Sequence, residues 1–273
     1  MFPLAGTNFP ESSSQLAAAI RGALSEVLEL PSDDRVVDVE GGDFPALQRV
    51  TVNLSGAKVN IKDVPPPPVP GKTRRPGITV DRLEVLGQPI SYAAGKADLK
   101  LNASGVSFDF ARDTQGRPML LLSNAREGDV RVTSGKEDVR AMLMAAASAA
   151  AKQQGITIQD LQLDLVSEGT RSIGGDARVK AKKLMMSGTV YVRGKVDIDD
   201  NLVATLSNLH CGGEGVVGSI AAGFLQGRLK QAEGKSFPLT GFSLGDVSLH
   251  DLKISVARTI QISAEFGNKT ASI

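Results

Sequence analysis

The chain has 273 residues, of which 41% are apolar and 22% are charged, and its formal net charge is +1. This balance is typical of a folded globular protein and argues against intrinsic disorder. A nearly neutral chain without a basic stripe gives no electrostatic reason to expect nucleic-acid binding. The single Cys211 excludes an internal disulfide and a multi-cysteine metal site. We predict one domain over residues 1–273.

The first predicted element is a helix from about Ser14 to Leu28. Serines at 12–14 offer N-caps, and Pro31 ends the segment. Apolar residues recur at a spacing of three or four, which predicts one buried stripe. Residues 46–61 then alternate between apolar and polar side chains, as a half-buried strand does.

A proline-rich insert follows at residues 63–77 and contains four consecutive prolines. Such a run favours polyproline II and is incompatible with the interior of a sheet. We predict a stiff surface connection, and a docking motif for a proline-reading partner stays open as the alternative.

From residue 78 the chain reads as a series of strands, with a hairpin turn predicted at residues 113–116. A second helix is predicted over 137–154, with Ser134 as N-cap and Glu137 completing a capping box. Its methionines, like Met185 and Met186, offer soft and adaptable surface, which suits an ordinary core or a groove for an alkyl chain. The predicted buried face consists of Val139, Met142, Leu143, Ala146, Ala149 and Ala150.

Another strand series over 156–209 leads to a third helix, predicted over 214–233 after the Gly212-Gly213 break. Apolar residues surround most of this helix, and its small residues allow other backbones to approach closely. The pattern predicts a helix that is mostly buried against a sheet, so that Gly223→Leu would overpack the contact. The apolar positions are Val216, Val217, Ile220, Ala221, Phe224 and Leu225.

The sequence contains no recognisable catalytic or metal-binding constellation. His210 and Cys211 are adjacent, so in a strand they point to opposite faces, and His250 lies far along the chain. Asp197, Asp199 and Asp200 are better explained by a hairpin turn than by a calcium site. We therefore expect a protein that is not an enzyme and uses no cofactor or metal.

The chain resembles the LmeA-like family of bacterial phospholipid-binding proteins, within the wider tubular lipid-binding (TULIP) group. The resemblance covers roughly residues 14–260 and rests on the order and texture of several segments. These are VTVNLSGAKVNI, the strand series from ITVDRLEVLG to VRVTSG, the Ala-rich helix 137–154 and the final helix-plus-strands unit GEGVVGSIAAGFLQGRLKQAEGKSFPLTGFSLGDVSLHDLKISV. It implies an α+β fold, in which a strongly curved antiparallel sheet wraps around long amphipathic helices and holds acyl chains in the apolar gap. The chain departs from the family pattern in its proline-rich insert, and we predict that its N-terminus, as written, is not a signal peptide.

These observations predict that the protein binds a phospholipid or other apolar ligand in a groove between the sheet and the helices, without catalysing a reaction. Transfer of that ligand between membranes or partners stays open. The expected partners are this ligand and, transiently, a membrane surface. The alternative is an interaction or scaffold protein with a closed core and no ligand. As written, the sequence predicts a cytoplasmic location, or a periplasmic one if a targeting segment has been removed. The candidate ligand-binding residues are Met142, Leu143, Val217, Ile220, Ala221, Phe224 and Leu225.

Overall fold

A computed structural model describes residues 1–60, 68–152, 155–239, 247 and 249–268 of the chain. Of these residues, 59% lie in strands and 20% in helices, so β structure dominates the fold. The helices are α1 (Ser13–Ser25), α2 (Lys136–Lys152) and α3 (Gly215–Ala232), together with one 3-10 turn (Asp34–Val36). The strands are β1 (Phe2–Pro3), β2 (Leu28–Glu29), β3 (Val37–Glu40), β4 (Ala46–Asn53), β5 (Lys58–Val59), β6 (Pro70–Tyr92), β7 (Gly95–Asp113), β8 (Pro118–Gly135), β9 (Thr157–Gly169), β10 (Ser172–Lys183), β11 (Met186–Ile198), β12 (Val203–Glu214), β13 (Ser236–Pro238), β14 (Leu249–Val256) and β15 (Thr259–Phe266).

The strands form two sheets. The larger sheet has the order β14-β15-β8-β7-β6-β4-β3, with the short β1, β2 and β5 paired beside this path. It is a mixed sheet, because β4 and β5 run parallel to β6 while β6, β7, β8 and β15 are antiparallel neighbours. The smaller sheet is antiparallel and has the order β13-β12-β11-β10-β9.

The main hydrophobic core lies between α1 and the larger sheet. Ser12 caps α1, since its hydroxyl accepts a hydrogen bond from the backbone N–H of Gln15 at 3.3 Å. Leu16, Ile20 and Leu24 lie on one side of the helix and are buried. The strand side chains that complete this core include Leu47, Val50, Val52, Ile78, Val80, Val106 and Leu120.

The two sheets meet at the edge strand β14. The turn between β9 and β10 contacts this edge, because Thr170 O accepts from Ile254 N at 2.6 Å and Arg171 Nε donates to Leu252 O at 3.0 Å. A second buried cluster of Leu202, Leu252, Ile254 and Ala264 fills the junction. Helix α2 joins the sheets in sequence, and it contacts β7 and β8 on one side and β9 on the other.

The predicted architecture, a curved antiparallel sheet wrapped around long amphipathic helices, is wrong. The structure has a large mixed sheet, a separate antiparallel sheet and three short helices. No described residue of α2 is fully buried, and α3 buries only Val217, Gly218 and Ala222. The physical reason is that Ala- and Gly-rich helices carry little apolar area to bury. Strands of 23, 19 and 18 residues, in β6, β7 and β8, instead form the long hydrogen-bonded frame.

The proline-rich insert is only partly the surface connection that its composition predicts. Residues 61–67 lie outside the described residues, whereas residues 70–77 begin strand β6. This part of β6 pairs with β7, and β4 joins its other side only from Thr79 onward. Residues 70–77 therefore lie at a sheet edge, where the missing N–H of a proline is tolerated.

The predicted hairpin turn at residues 113–116 is confirmed between β7 and β8. Asp113 is buried there and organises the turn through Oδ1, which accepts from Gln115 N at 2.8 Å and Arg117 N at 2.9 Å. Its Oδ2 pairs with Arg117 Nε at 2.8 Å. Burial opposes ionisation of Asp113, but these hydrogen bonds and the charge of Arg117 outweigh it and lower the pKa of the carboxyl.

We expect Asp113→Asn to destabilise the protein at pH 7 and to have a smaller effect in acid. A carboxyl whose pKa is lowered by folding contributes stability above its unfolded pKa, near 4. That contribution is lost as the pH falls through the lower, folded pKa. Urea denaturation at pH 7 and at about pH 3 tests this, with the exposed Asp81→Asn as control. If the difference in unfolding free energy between the wild type and Asp113→Asn stays constant with pH, the lowered pKa of Asp113 is contradicted.

Candidate functional site

One face of the smaller sheet is apolar and the other is polar. Cross-strand pairing places Leu163, Ala177, Val192 and Cys211 in one row on the same face. Asp164, Asp176 and Arg193 are paired in the neighbouring row and therefore lie on the opposite face, because side chains alternate along a strand. We call the face that carries Leu163 the apolar face. It comprises Leu161, Leu163, Leu165, Ile173, Ala177, Val179, Val190, Val192, Val196, Leu206 and Cys211.

Helix α3 covers the β11–β12 side of the apolar face at close range. The contact depends on Gly188, Gly213 and Gly218: a methyl group on any one of them would overlap backbone atoms across the contact. Cys211 Sγ lies 3.9 Å from Ala222 O, and burial raises the pKa of its thiol. Close backbone packing, rather than large side chains, thus holds this helix on the sheet.

The far end of α3 is fixed by a carboxylate. Glu233, immediately after the helix, accepts hydrogen bonds from the backbone N–H groups of Asn208 and Leu209, at 3.0 and 2.8 Å. Asn208 has a positive φ of 55° and interrupts the regular pairing of β11 with β12. Glu233 therefore satisfies donors that the irregular strand leaves without a strand partner.

Helix α2 lies at the opposite edge of the smaller sheet, beside β9. Arg140 Nη1 donates to Leu161 O and Lys136 Nζ donates to Leu165 O, each at 3.3 Å. The helix begins close to the β6–β7 hairpin, where Met142 packs near Gly95. Ser134 donates to Lys96 O at 2.7 Å instead of capping α2, so the predicted capping box does not form.

A strip of the apolar face between the two helices stays partly exposed. Strands β9 and β12 are three strand spacings apart, about 14 Å, whereas one helix with its side chains is about 10–12 Å across. Leu161 and Val190, close to the helices, are buried. The strip is half-buried and consists of Leu163, Leu165, Ala177 and Val179.

The structure separates the residues predicted to bind a ligand. Val217 is buried against the sheet and Ala221 is half-buried, but Ile220 and Leu225 are exposed and Phe224 is 78% exposed. On α2, Met142 is half-buried and Leu143 is exposed. The two helices contact mainly different strands, and none of the seven residues lines either of the two described cavities.

The predicted burial of helix 214–233 and of the stripe on 137–154 is therefore wrong. A methyl group on Gly223 would meet nothing within 4 Å, so the predicted overpacking by Gly223→Leu has no basis. Sequence reasoning did not identify the partly exposed strip on β9 and β10. The strict alternation of apolar and polar residues over 161–165 predicts a half-buried strand, but it does not show that the apolar side is a site.

The polar candidates behave as their spacing predicts. His210 is paired beside Arg193 on the polar face, whereas Cys211 faces α3. Asp199 forms the β11–β12 hairpin turn by accepting from Asn201 N and Val203 N at 2.9 and 2.8 Å, so the turn interpretation is confirmed. Among the described residues, no cluster of His, Cys, Asp and Glu is suited to hold a metal ion.

The two described cavities lie on the larger sheet. One, of about 310 Å³, is lined by Phe9, Phe110 and several basic residues, among them Arg75 and Arg112, whose guanidinium carbons lie 4.6 and 4.9 Å from the centre of the Phe9 ring. The other, of about 580 Å³, is lined mainly by polar residues such as Arg82, Glu84 and Asp129. In the described part of the chain, no helix is both long and apolar enough to cross a membrane.

Comparisons with known proteins add no family to this description. No family model, curated protein or solved structure matches the chain. The resemblance to LmeA-like proteins therefore stays a hypothesis, and the function has to be argued from the surface itself.

Proposed function

We propose that the protein binds an apolar ligand, such as the acyl chain of a lipid, without catalysing a reaction. The proposed site is the partly exposed strip of the apolar face between α2 and α3. The single observation that supports it is the half-burial of four apolar side chains on β9 and β10, in a sheet whose other face is polar. Leaving such a strip in water has a free-energy cost, which a ligand would remove.

The available surface fits a weak, reversible ligand. Burying one methylene contributes about 0.8 kcal/mol, so a C16 chain with about half of its methylenes buried would gain about 6 kcal/mol. This corresponds to a dissociation constant of tens of micromolar before ordering costs are subtracted. Such an affinity suits a protein that takes up and releases its ligand.

The double variant Leu163→Gln/Leu165→Gln tests the proposal. Both side chains lie on the strip, and polar amides there should weaken binding of a fluorescent C18 fatty acid by at least about 10-fold. Both positions are half-buried, so the variant should still fold. Fluorescence titration measures the affinity, and circular dichroism checks the fold.

Val166→Gln is the matched control, because Val166 follows Leu165 on the same strand, faces the opposite side and is 49% exposed. Its affinity for the probe should equal that of the wild type. Equal weakening by both changes would place the ligand elsewhere. If the wild type does not bind the probe at all, the alternative of a scaffold protein without a ligand takes precedence.

A further inference from the structure

We infer that the tip of the β10–β11 hairpin docks the protein on an anionic lipid bilayer. The hairpin tip is defined here as Leu184, Met185 and Met186. This inference concerns a different surface from the proposed ligand strip and does not require the strip to hold a lipid.

The turn of this hairpin is made of unusual residues. Lys183 pairs with Met186, so Leu184 and Met185 alone form the loop. Two-residue hairpin loops favour Asn-Gly or similar pairs, because their backbone needs positive φ angles. Leu184 has a φ of 55°, a left-handed conformation that a leucine adopts only with strain.

The same residues are the most exposed apolar side chains of the hairpin. Leu184 is 82% exposed and Met185 is 95% exposed, and neither belongs to a hydrophobic cluster of the described fold. Folding thus gains nothing from two large apolar side chains at this point, and the turn would be less strained without them. Strain combined with apolar exposure at a projecting tip favours a role in binding.

Basic side chains immediately behind the tip identify the partner. Lys180, Lys182 and Lys183 are exposed, and within the described residues none of them forms an ion pair. Lys180 lies opposite Asp160 on β9, whereas Lys182 is paired with Thr157 and Ser187, and Lys183 with Met186, so the two lysines nearest the tip have no carboxylate directly across the strand. Lysines behind an apolar tip match a bilayer, whose anionic headgroups overlie its acyl chains.

Helix α3 extends this surface. The helix begins beside the hairpin, where Gly188 lies against Gly218 and Gly215 lies against Ser187. Val216, in its first turn, is exposed, and Ile220 and Phe224 follow at four-residue intervals on the same side. The start of α3 therefore brings further exposed apolar side chains beside the hairpin.

The decisive variant replaces the two apolar loop residues, Leu184→Asn/Met185→Gly. It should fold about as stably as the wild type, because asparagine tolerates the left-handed φ of position 184 and glycine accepts any backbone conformation at 185. Its partitioning onto vesicles of phosphatidylglycerol and phosphatidylcholine in about equal parts should fall by at least about 100-fold, since two inserting side chains are lost. Vesicle sedimentation measures this partitioning.

A second variant tests the charges. Lys180→Gln/Lys182→Gln/Lys183→Gln should lower binding to the same vesicles by about 100-fold, at about fivefold for each lysine. Wild-type binding should weaken as salt is raised from about 0.05 to 0.5 M, because salt screens these charges. Val166→Asn, which changes an exposed apolar residue away from the hairpin tip, should bind vesicles like the wild type.

Three outcomes would overturn the inference. The wild type could bind pure phosphatidylcholine as strongly as the anionic mixture, or the Asn-Gly variant could bind like the wild type. The wild type could instead ignore vesicles and self-associate through the tip, which would make it a protein interface. The variant Leu163→Gln/Leu165→Gln should still bind vesicles, and the Asn-Gly variant should still bind the fatty-acid probe. Failure of one proposal is thereby distinguished from failure of the other.

Discussion

Gly218→Ala is expected to lower the free energy of unfolding by about 1–2 kcal/mol. A methyl group at this position would overlap the carbonyl oxygen of Thr189, which is fixed in the β11 ladder. The helix would have to move away from the sheet, and overpacking of this kind costs about 1–3 kcal/mol or more. The helix propensity of alanine offsets only about 1 kcal/mol of that cost. Urea denaturation measures the change.

Gly223→Ala is the matched control on the same helix. A methyl group there meets nothing within 4 Å, so only helix propensity changes and the variant should be stabilised by up to about 1 kcal/mol. The two substitutions are chemically identical and are predicted to have opposite signs. Destabilisation of similar size at both positions would show that α3 does not lie on the sheet as described.

Leu16→Ala is expected to cost about 3–5 kcal/mol, the largest effect of a single truncation that we predict. Leu16 is fully buried, with 0% exposure, and lies in the core between α1 and the larger sheet. Removing its side chain loses the transfer free energy of three carbon atoms and leaves a cavity. For a chain of this size the melting temperature should fall by about 10 °C.

Phe224→Asn provides the contrast. In a dry core this substitution would unfold the protein, but Phe224 is 78% exposed, so its replacement should change the free energy of unfolding by no more than about 0.5 kcal/mol. Calorimetry on the two variants tests whether the folded state depends mainly on the larger sheet. Comparable losses of unfolding free energy in Leu16→Ala and Phe224→Asn would show that the folded state does not depend mainly on the larger sheet.

Local structure was largely predictable from the sequence. The three helices were placed within three residues of their observed ends, because the Ser12 cap of α1, the left-handed glycines Gly155 and Gly234 and the apolar spacing act locally. The turn at Asp113 and the turn at Asp199 were likewise identified by side chains that bond their own backbone.

Sheet assembly could not be predicted in the same way. The parallel pairing of β4 with β6 and the division into two sheets depend on partners far apart in sequence. Alternation shows which side chains share a face, but not which strand lies beside which. Apolar residues around most of α3 predict burial on several sides. In the structure, Gly188, Gly213 and Gly218 bring only one side of the helix onto the sheet, and Ile220 and Phe224 are exposed to water.

The candidate site illustrates the same limit. The sequence predicts that apolar residues of both helices share one site, but their separation onto two helices with different strand partners is a tertiary property. Alternation shows that Leu163 and Leu165 share a face, but only the register of β9 and β10 shows that Ala177 and Val179 lie beside them.

The central claim is that the partly exposed strip on β9 and β10 holds an apolar ligand, and native mass spectrometry of protein purified without detergent tests it most directly. The account predicts an adduct with the mass of a fatty acid or lipid, which is retained in Val166→Gln and is lost or strongly reduced in Leu163→Gln/Leu165→Gln. A wild-type protein that shows no adduct, and acquires none after incubation with a C16 fatty acid, would contradict it.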